Sequence, residues 1–286
     1  MSTLQNKIDF IVLVAVTNAN PNGDPLNGNR PRTTYTGKGE ISDVCIKRKI
    51  RNRLQDMGER IFVQSDERCD DGFASLSDRA SKTITQFTKR DEYAKKACTE
   101  WFDVRAFGQV FAFKKAKDKD AEGISVGVRG PVSIHQATSI SVVDINSIQI
   151  TKSVNSETTS DGKKSSDTMG TKHRVEFGLY EIKGSINVQL AEKTGFSDED
   201  ADKIKEALRT LFINDASSAR PDGSMEVIRV YWWRHNNKVG QYSSAKVHRS
   251  LTVRIKEGIQ NPTTADDYNV SIEELDGLVP EIMNGI

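Results

Sequence analysis

The sequence predicts an α+β fold with elements in the order strand, helix, strand, strand, helix, strand. The run Ile8–Val16 is short, β-branched and nearly all apolar, which is typical of a strand buried on both faces. Apolar residues at helical spacing predict helices over residues 43–57 and from Ser197 to about Ile213. Strand-like patterns occupy Ile124–Ile134, Val175–Leu190 and Met225–Trp233. This order is the split βαβ, or ferredoxin-like, arrangement that RNA-recognition modules also use.

The first strand leads into a long loop over residues 18–32, which combines Asn-Pro, Asn-Gly and Asp-Pro turn pairs with basic residues. The nearly unbroken apolar character of the first strand predicts that it lies in the centre of the sheet. We therefore expect a long irregular loop after a central strand.

The first helix begins after Ser42, because a serine hydroxyl accepts hydrogen bonds from the free N–H groups of a first turn. It runs from about Asp43 to Met57, and Gly58 is a natural end. Four apolar residues at helical spacing form its buried stripe: Ile46, Ile50, Leu54 and Met57. Five cations occupy its other faces: Lys47, Arg48, Lys49, Arg51 and Arg53.

Less regular segments complete the chain. Residues 64–104 are predicted to be a peripheral insertion with helices around Ser77–Ile84 and Asp91–Trp101. Ser197 and Asp200 have the spacing of an acidic capping box at the second helix. Leu251–Ile255 is a further candidate strand, and Ser271 a candidate helix start.

Composition excludes several classes of protein. The 41 Lys and Arg residues nearly balance 40 Asp and Glu, so any nucleic-acid binding depends on local basic clusters. No apolar run reaches the roughly 18–20 residues that span a bilayer, and the chain begins without a signal-peptide pattern. Three widely spaced cysteines fit neither a disulfide framework nor a zinc site. We expect a cytoplasmic protein without a cofactor.

Enzymatic templates are not matched: there is no nucleophile elbow, phosphate-binding loop or dinucleotide-binding glycine motif. The loop from Asn18 resembles half of an EF-hand, but Asn29 stands where a bidentate Glu is required. Asp24 is the loop's one carboxylate. It is either a turn residue or the acid of a metal-dependent ribonuclease, and the turn role is favoured. A small-molecule enzyme on a ferredoxin-like fold is a third class.

The segment Arg105–Phe113 matches about half of an aromatic RNA-binding strand motif. Its aromatic residues Phe107, Phe111 and Phe113 are either base-stacking residues or core residues. Burial in the core is the favoured interpretation, because large aromatic side chains dominate protein interiors.

The basic helix is the strongest local signal for binding. Only Asp43 and Asp56 are acids at helical spacing from its cations, so the cations are either a phosphate-binding surface or a solvated face. Basic residues immediately upstream, Arg30, Arg32 and Lys38, favour phosphate.

A second basic segment lies in the polar excursion over residues 139–174. Loops of this length in compact domains are usually functional or disordered. Its basic residues are Lys152, Lys163, Lys164, Lys172, His173 and Arg174. Met169 at its return is suited to wedging against a base.

Together these features resemble a known family. Its marks are the loop motif NxNPNGDP, the helix with Lys47, Arg48 and Arg51, and the segments DVRAFG, GPVSIHQATS and TMGTKHRVEFGLY. They resemble the RNA-binding backbone subunit of CRISPR Cascade complexes, specifically the type I-C family, over about residues 8–255. In combination the motifs are specific, although each alone is weak.

The resemblance implies a non-catalytic subunit and a single domain over residues 1–286. Its fold is a modified RNA-recognition-motif palm with a helical, finger-like insertion at 64–104 and an extended thumb hairpin at 142–174. Copies of the subunit polymerise along CRISPR RNA and help it pair with a target DNA strand. The thumb reaches the neighbouring subunit, kinks the guide and flips a base.

The implied partners are CRISPR RNA, target DNA, further copies of the chain and other Cascade subunits, with no membrane. The predicted RNA-binding residues are Asn20, Asn22, Arg30, Arg32, Ser42, Lys47, Arg48, Arg51, Phe107, Gln109, Met169, Lys172, His173 and Arg174. Related RNA-targeting subunits cut RNA with an Asp near the position of Asp24. The surrounding NPNGDP belongs to non-catalytic relatives, so cleavage is not carried over.

Overall fold

The computed structural model describes residues 2–112, 125–151 and 169–286. The strands are β1 (Ile8–Ala19), β2 (Gly23–Asp24), β3 (Arg30–Pro31), β4 (Lys38–Ile41), β5 (Gly108–Ala112), β6 (Ser125–Arg129), β7 (Val132–Ile134), β8 (Ala137–Val142), β9 (Ile145–Thr151), β10 (Met169–Ile186), β11 (Met225–Arg234), β12 (Leu251–Ile255), β13 (Tyr268–Ile272) and β14 (Glu281–Asn284). The helices are α1 (Asp43–Asp56), α2 (Leu76–Thr83), α3 (Arg90–Glu100), α4 (Phe102–Phe107), α5 (Val188–Thr194), α6 (Asp198–Arg209) and α7 (Ser244–Ser250).

One large mixed-length antiparallel sheet organises the chain. Its strand order is β14-β11-β1-β10-β8-β4, and β7 and β9 pair along β10. β1 lies between β10 and β11, with Ile8 opposite both Ile186 and Arg234. The prediction of a central first strand is therefore confirmed.

The two faces of β1 enter different cores, which explains its apolar sequence. One face, with Phe10, Val12 and Val14, packs in the main core beneath α1 and α6. The opposite face, with Ile11 and Leu13, packs in a second core that includes residues of α7, β12 and β13. Side chains alternate across a strand, so a strand between two cores needs apolar residues at both parities.

A third cluster of buried residues lies in the peripheral insertion. Helices α2 and α3 occupy the two stretches predicted to be helical, and they pack with the pair β5 and β6. Phe62, Trp101 and Phe111 have ring centroids within 4.7–6.3 Å of one another. This cluster gives the insertion an apolar centre of its own.

The ends of several elements differ from the sequence predictions. Ile124–Ile134 is not one strand, because Gly130 and Pro131 separate β6 from β7 and the two lie in different sheets. Val175–Leu190 is strand only to Ile186, after which the Asn187 side chain caps α5.

Two helix predictions also need correction. The acidic capping box of Ser197 and Asp200 is confirmed, but α6 ends at Arg209 rather than near Ile213. No helix starts at Ser271, which instead lies in β13, paired with Thr252 of β12. Val270 and Ile272 flank Ser271 with β-branched side chains, which favour a strand over a helix.

The excursion begins as a two-stranded ribbon. Residues Met169–Val175 of β10 pair with Ile145–Thr151 of β9, and β10 reaches β1 only from Val175 onward. We call this ribbon the arm. Residues 152–168, with Lys152, Lys163 and Lys164, lie outside the described residues, as does Phe113. Within the described ranges, no helix is long and apolar enough to cross a membrane.

Candidate nucleic-acid interface

The loop after β1 is held by the side chains of its own asparagines. Asn18 has a φ of 50°, the left-handed conformation that Asn tolerates better than most residues. Asn20 is buried and donates from Nδ2 to the carbonyl oxygen of Asn29, 2.7 Å away. Asn20 therefore closes the base of the loop. The exposed residues of the loop are residues 25–29, which connect β2 to β3.

Asn22 fixes the start of α1. Its Oδ1 accepts from the Ser42 backbone N–H at 2.9 Å and from the Ser42 hydroxyl at 2.8 Å. The Ser42 Oγ in turn accepts from the Cys45 N–H, as predicted for the cap of this helix. Loop and helix are thus joined through two predicted RNA-binding residues, Asn22 and Ser42.

Asp24 has the geometry of a turn residue. Its Oδ1 accepts from the Leu26 N–H at 3.2 Å and caps a short 3₁₀ turn, Pro25–Asn27. An Arg32 nitrogen lies 3.6 Å from the same oxygen. Within the described ranges, no group of three or more His, Cys, Asp and Glu residues is placed to hold a metal ion. The hydrogen bond from the Leu26 N–H and the contact with Arg32 are those expected of a turn residue, the favoured interpretation of Asp24.

The cations of α1 have partners within the chain. Lys47 pairs with Asp43 one turn earlier at 3.0 Å, and Arg48 donates to the Val63 carbonyl oxygen at 2.6 Å. Arg51 donates from Nε to Asp103, 2.8 Å away, and its guanidinium lies 5.1 Å from the centre of the Phe107 ring. Burial lowers the pKa of Arg48, and the nearby Arg51 lowers it further. The partner of Lys47 lies on the helix itself, whereas the partners of Arg48 and Arg51 lie outside it and are not indicated by the acids of α1.

The segment around Phe107 does not form the single strand of the RNA-binding motif that it half matches. Phe107 ends α4, and a left-handed Gly108 starts β5. Phe107 packs against the main core and Phe111 is fully buried, so burial is confirmed for Phe111. Gln109 lies on β5, with its side chain bonded to the neighbouring Val110 carbonyl oxygen.

The base of the arm contacts the loop after β1. Arg30 donates from Nη1 to the Ser147 hydroxyl at 3.0 Å, and that hydroxyl lies 2.8 Å from Nδ1 of His173. Lys172 is 3.5 Å from the Ser218 carbonyl oxygen. Arg174, on the same strand β10, is partly buried. Met169, at the start of that strand, is 67% exposed. The structure therefore joins loop, arm base and the start of α1. Gln109 lies on β5, which pairs with β6 in a separate two-stranded sheet.

Comparison with known proteins identifies the family. The sequence profile described as "CRISPR-associated protein Cas7" matches residues 6–273. The chain belongs to the Cas7 family. A curated relative from Haloferax volcanii with the same description is 26% identical over 259 residues, covering 84% of this chain and 74% of the relative.

Solved structures include two similar chains. One, from a "CRISPR RNA-guided surveillance complex, pre-nicking", has a TM-score of 0.44 at 14% identity and covers 83% of both chains. The other, from a "CRISPR RNA-guided surveillance complex", has a TM-score of 0.43 at 15% identity and covers 79% of this chain and 68% of that one.

The Cas7 match spans loop, α1 and arm, and it also spans residues that sequence reasoning missed. A cavity of about 330 Å³ lies between α1 and the loop over residues 214–224, and Lys49, Asp215 and Arg220 line it. The missed signal was Lys49 itself, which lies one position before the apolar Ile50 and is buried with it. From sequence, a lysine next to an apolar stripe is expected to extend its ammonium into solvent. Burial is expected only when the acid that pairs with it, here Asp215, is known.

Proposed function

We propose that this Cas7 protein is a non-catalytic backbone subunit of a type I-C Cascade complex, bound to CRISPR RNA in the cytoplasm. Several copies follow one guide and help it pair with invading DNA, together with other Cascade subunits. Contacts to phosphate and ribose suit this role, because the subunit must serve every guide sequence while base edges stay free for pairing.

The observation that carries the proposal is the contact between loop and arm. Arg30, Ser147 and His173 form a continuous chain of polar contacts from one segment to the other. A cation and an imidazole at the foot of a projecting ribbon, beside the start of α1, offer donors to a sugar-phosphate backbone. Gln109, a further predicted RNA-binding residue, lies outside this group on β5.

The strand order supports an RNA-recognition type of palm. Strands β11-β1-β10-β7 lie side by side, and α1 and α6 pack on one face of them, as a split βαβ fold requires. The opposite face of β1, β10 and β11 carries the second core, so this face of the three strands is not open for bases to stack on. We infer that RNA lies at the loop and arm instead.

A near-neutral charge agrees with assembly into a filament. The net charge is +1, and a strongly charged subunit would repel its neighbours. Head-to-tail contacts between copies need complementary surfaces, and the arm and α5 lie at opposite ends of β10.

Nucleic acid recovered with the native protein tests the proposal. Sequencing should find small RNAs of uniform length that share a repeat-derived part and differ elsewhere. Purified protein should also bind such a guide as multiple copies. A double variant, Arg30→Ala with Lys172→Ala, should weaken binding of every guide alike. The matched control is Lys193→Ala on α5, at the opposite end of β10 from the arm. Recovery of no RNA would contradict the proposal.

The alternative function is a metal-dependent ribonuclease using Asp24. Its test is Asp24→Ala, because guide binding should survive in either case. Slow cleavage of complementary RNA should disappear only if Asp24 is catalytic. The contacts of Asp24 with the Leu26 N–H and with Arg32 favour a turn role, so we expect no cleavage by the unmodified protein.

A further inference from the structure

A lysine inside α1 holds a distant loop. Lys49 is only 4% exposed, and its ammonium pairs with the Asp215 carboxylate and lies 5.4 Å from the centre of the Phe212 ring. Burial lowers the pKa of Lys49, and Asp215 opposes that shift. An ammonium removed from water needs a close anion. The position of Asp215 is therefore tied to α1.

The Asp215 carboxylate also ties together its own loop. Arg220 Nε lies 3.3 Å from the same Oδ2 atom that Lys49 contacts. The preceding residue, Asn214, adopts a φ of 58° and receives a hydrogen bond from Arg68 on its carbonyl oxygen at 2.8 Å. One carboxylate between two cations thus sets the path of residues 214–220 over α1.

The other side of this loop supports the candidate interface. Its backbone carbonyls accept from the Asn20 N–H at Ala219 (2.9 Å), from the Lys172 ammonium at Ser218 (3.5 Å) and from the Thr17 N–H at Ser224 (2.8 Å). Because the acceptors are backbone oxygens, their places depend on the path of the loop rather than on its side chains.

We propose that Lys49 is a positioning residue: its ion pair with Asp215 holds the 214–224 loop on α1, and the loop carbonyls place Asn20 and Lys172. The RNA part of the test rests on the proposed function. In this role neither Lys49 nor Asp215 touches RNA.

Asp215→Asn gives a test of opposite sign. Loss of a negative charge beside phosphates would raise RNA affinity if the acid acted only through its field. Positioning predicts instead that affinity for every guide falls about tenfold, within the usual range of coupling between sites. Lys49→Met should cause the same fall, and the double variant should be no weaker than either single one. Higher affinity in Asp215→Asn would overturn the proposal.

The salt dependence of RNA binding separates positioning from direct contact. If Lys49 contacted a phosphate, Lys49→Met would lower the slope of log affinity against log salt by about 0.7. Positioning predicts instead the same slope in Lys49→Met and in Asp215→Asn, with lower affinity than the unmodified protein at each salt concentration, because both substitutions release the loop that places Lys172. A lower slope in Lys49→Met together with normal binding by Asp215→Asn would assign Lys49 to the RNA contact instead.

Amide hydrogen exchange tests the device without RNA. The Asn20 and Thr17 N–H groups should exchange about tenfold faster in both variants, because their acceptor loop is released. The Ile11 amide in the centre of β1 reports whether the fold is intact and should be unchanged. Lys47→Met, which removes a cation paired within α1, is the exchange control. Unchanged exchange at Asn20 in both variants would overturn positioning, whereas an unmodified protein that binds no RNA would contradict only the proposed function.

Discussion

Helix α1 and the arm both carry cations, but they use them differently. In α1 the charges of Lys49 and Arg51 meet acids 166 and 52 residues away in the sequence. In the arm, Lys172 and His173 reach hydroxyl and carbonyl oxygens, and Met169 is open to solvent. The difference teaches that a basic stretch in a sequence shows where charge is, and that its tertiary partners decide whether it remains available to a ligand.

The largest effect should come from removing the arm. Replacing residues 145–172 with a short Gly-containing turn should leave a folded monomer. Within the described ranges, residues Met169–Arg174 of β10 pair only with β9, so removing the arm takes no strand partner from the rest of the sheet. Ordered multi-subunit assembly on guide RNA should be lost. Electron microscopy measures assembly and urea unfolding measures the fold. Normal filaments from this variant would show that the thumb assignment is wrong.

The second largest effect should be a loss of stability when the buried partner of Arg51 in α1 is removed. Asp103 is 1% exposed and accepts from Arg51 and from the backbone N–H groups of Phe62 and Val63. Asp103→Ala strands these donors and should lower the free energy of unfolding by about 3–5 kcal/mol. Lys47→Ala, which breaks a surface pair one helical turn long, should cost about 0.5 kcal/mol or less. If Asp103→Ala and Lys47→Ala lower the free energy of unfolding equally, the buried and the exposed ion pair of α1 do not differ in strength.

A smaller effect should distinguish the cations in RNA binding. Arg30→Ala and Lys172→Ala should each lower the salt slope of guide binding by about 0.7, as expected for one phosphate contact. The Lys47 side chain is 25% exposed against 13% for Arg51, so Lys47→Ala should lower the slope as well, with little change in stability. Filter binding at several salt concentrations measures this. If all three slopes stay at the unmodified value, the predicted interface is misplaced.

The smallest effect concerns Met169. A side chain wedged beside a base gains contact worth about 1–3 kcal/mol for aromatic residues and less for methionine. Met169→Ala should weaken assembly modestly, Met169→Leu should be nearly silent because its volume is similar, and Met169→Asp should be the worst. The readout is filament formation on a fixed guide. Normal assembly by both the alanine and the aspartate variants would remove Met169 from the interface.

Local signals predicted much of the fold. The two-sided apolar pattern of β1, the Ser42 cap of α1 and the Ser197 capping box depend on neighbouring residues, and each is confirmed. The errors fall where distant pairing overrides local preference. Ser271 is predicted to start a helix, but its pairing with Thr252 of β12 places it in a strand.

The candidate site was harder to predict than the fold. The loop after β1 and the arm were singled out by composition, and the structure brings Arg30 and His173 together through Ser147. Nothing local indicates that Lys49 meets Asp215, because the partner comes from a loop far along the chain. Pairing of this kind depends on the completed sheet, which places α1 beside the end of α6.

The register of β1 has a consequence for how the chain is made. Residues 8–19 leave the ribosome well before their strand partners, residues 175–186 and 225–234. At about 5–20 residues per second, the strand waits roughly ten seconds or longer for a partner. Over that interval an apolar segment with two unpaired edges is open to aggregation or to chaperones. Pairing of β1 therefore depends on the segments that hold its partners, and a translational stall between residues 19 and 175 should harm yield more than one after residue 234.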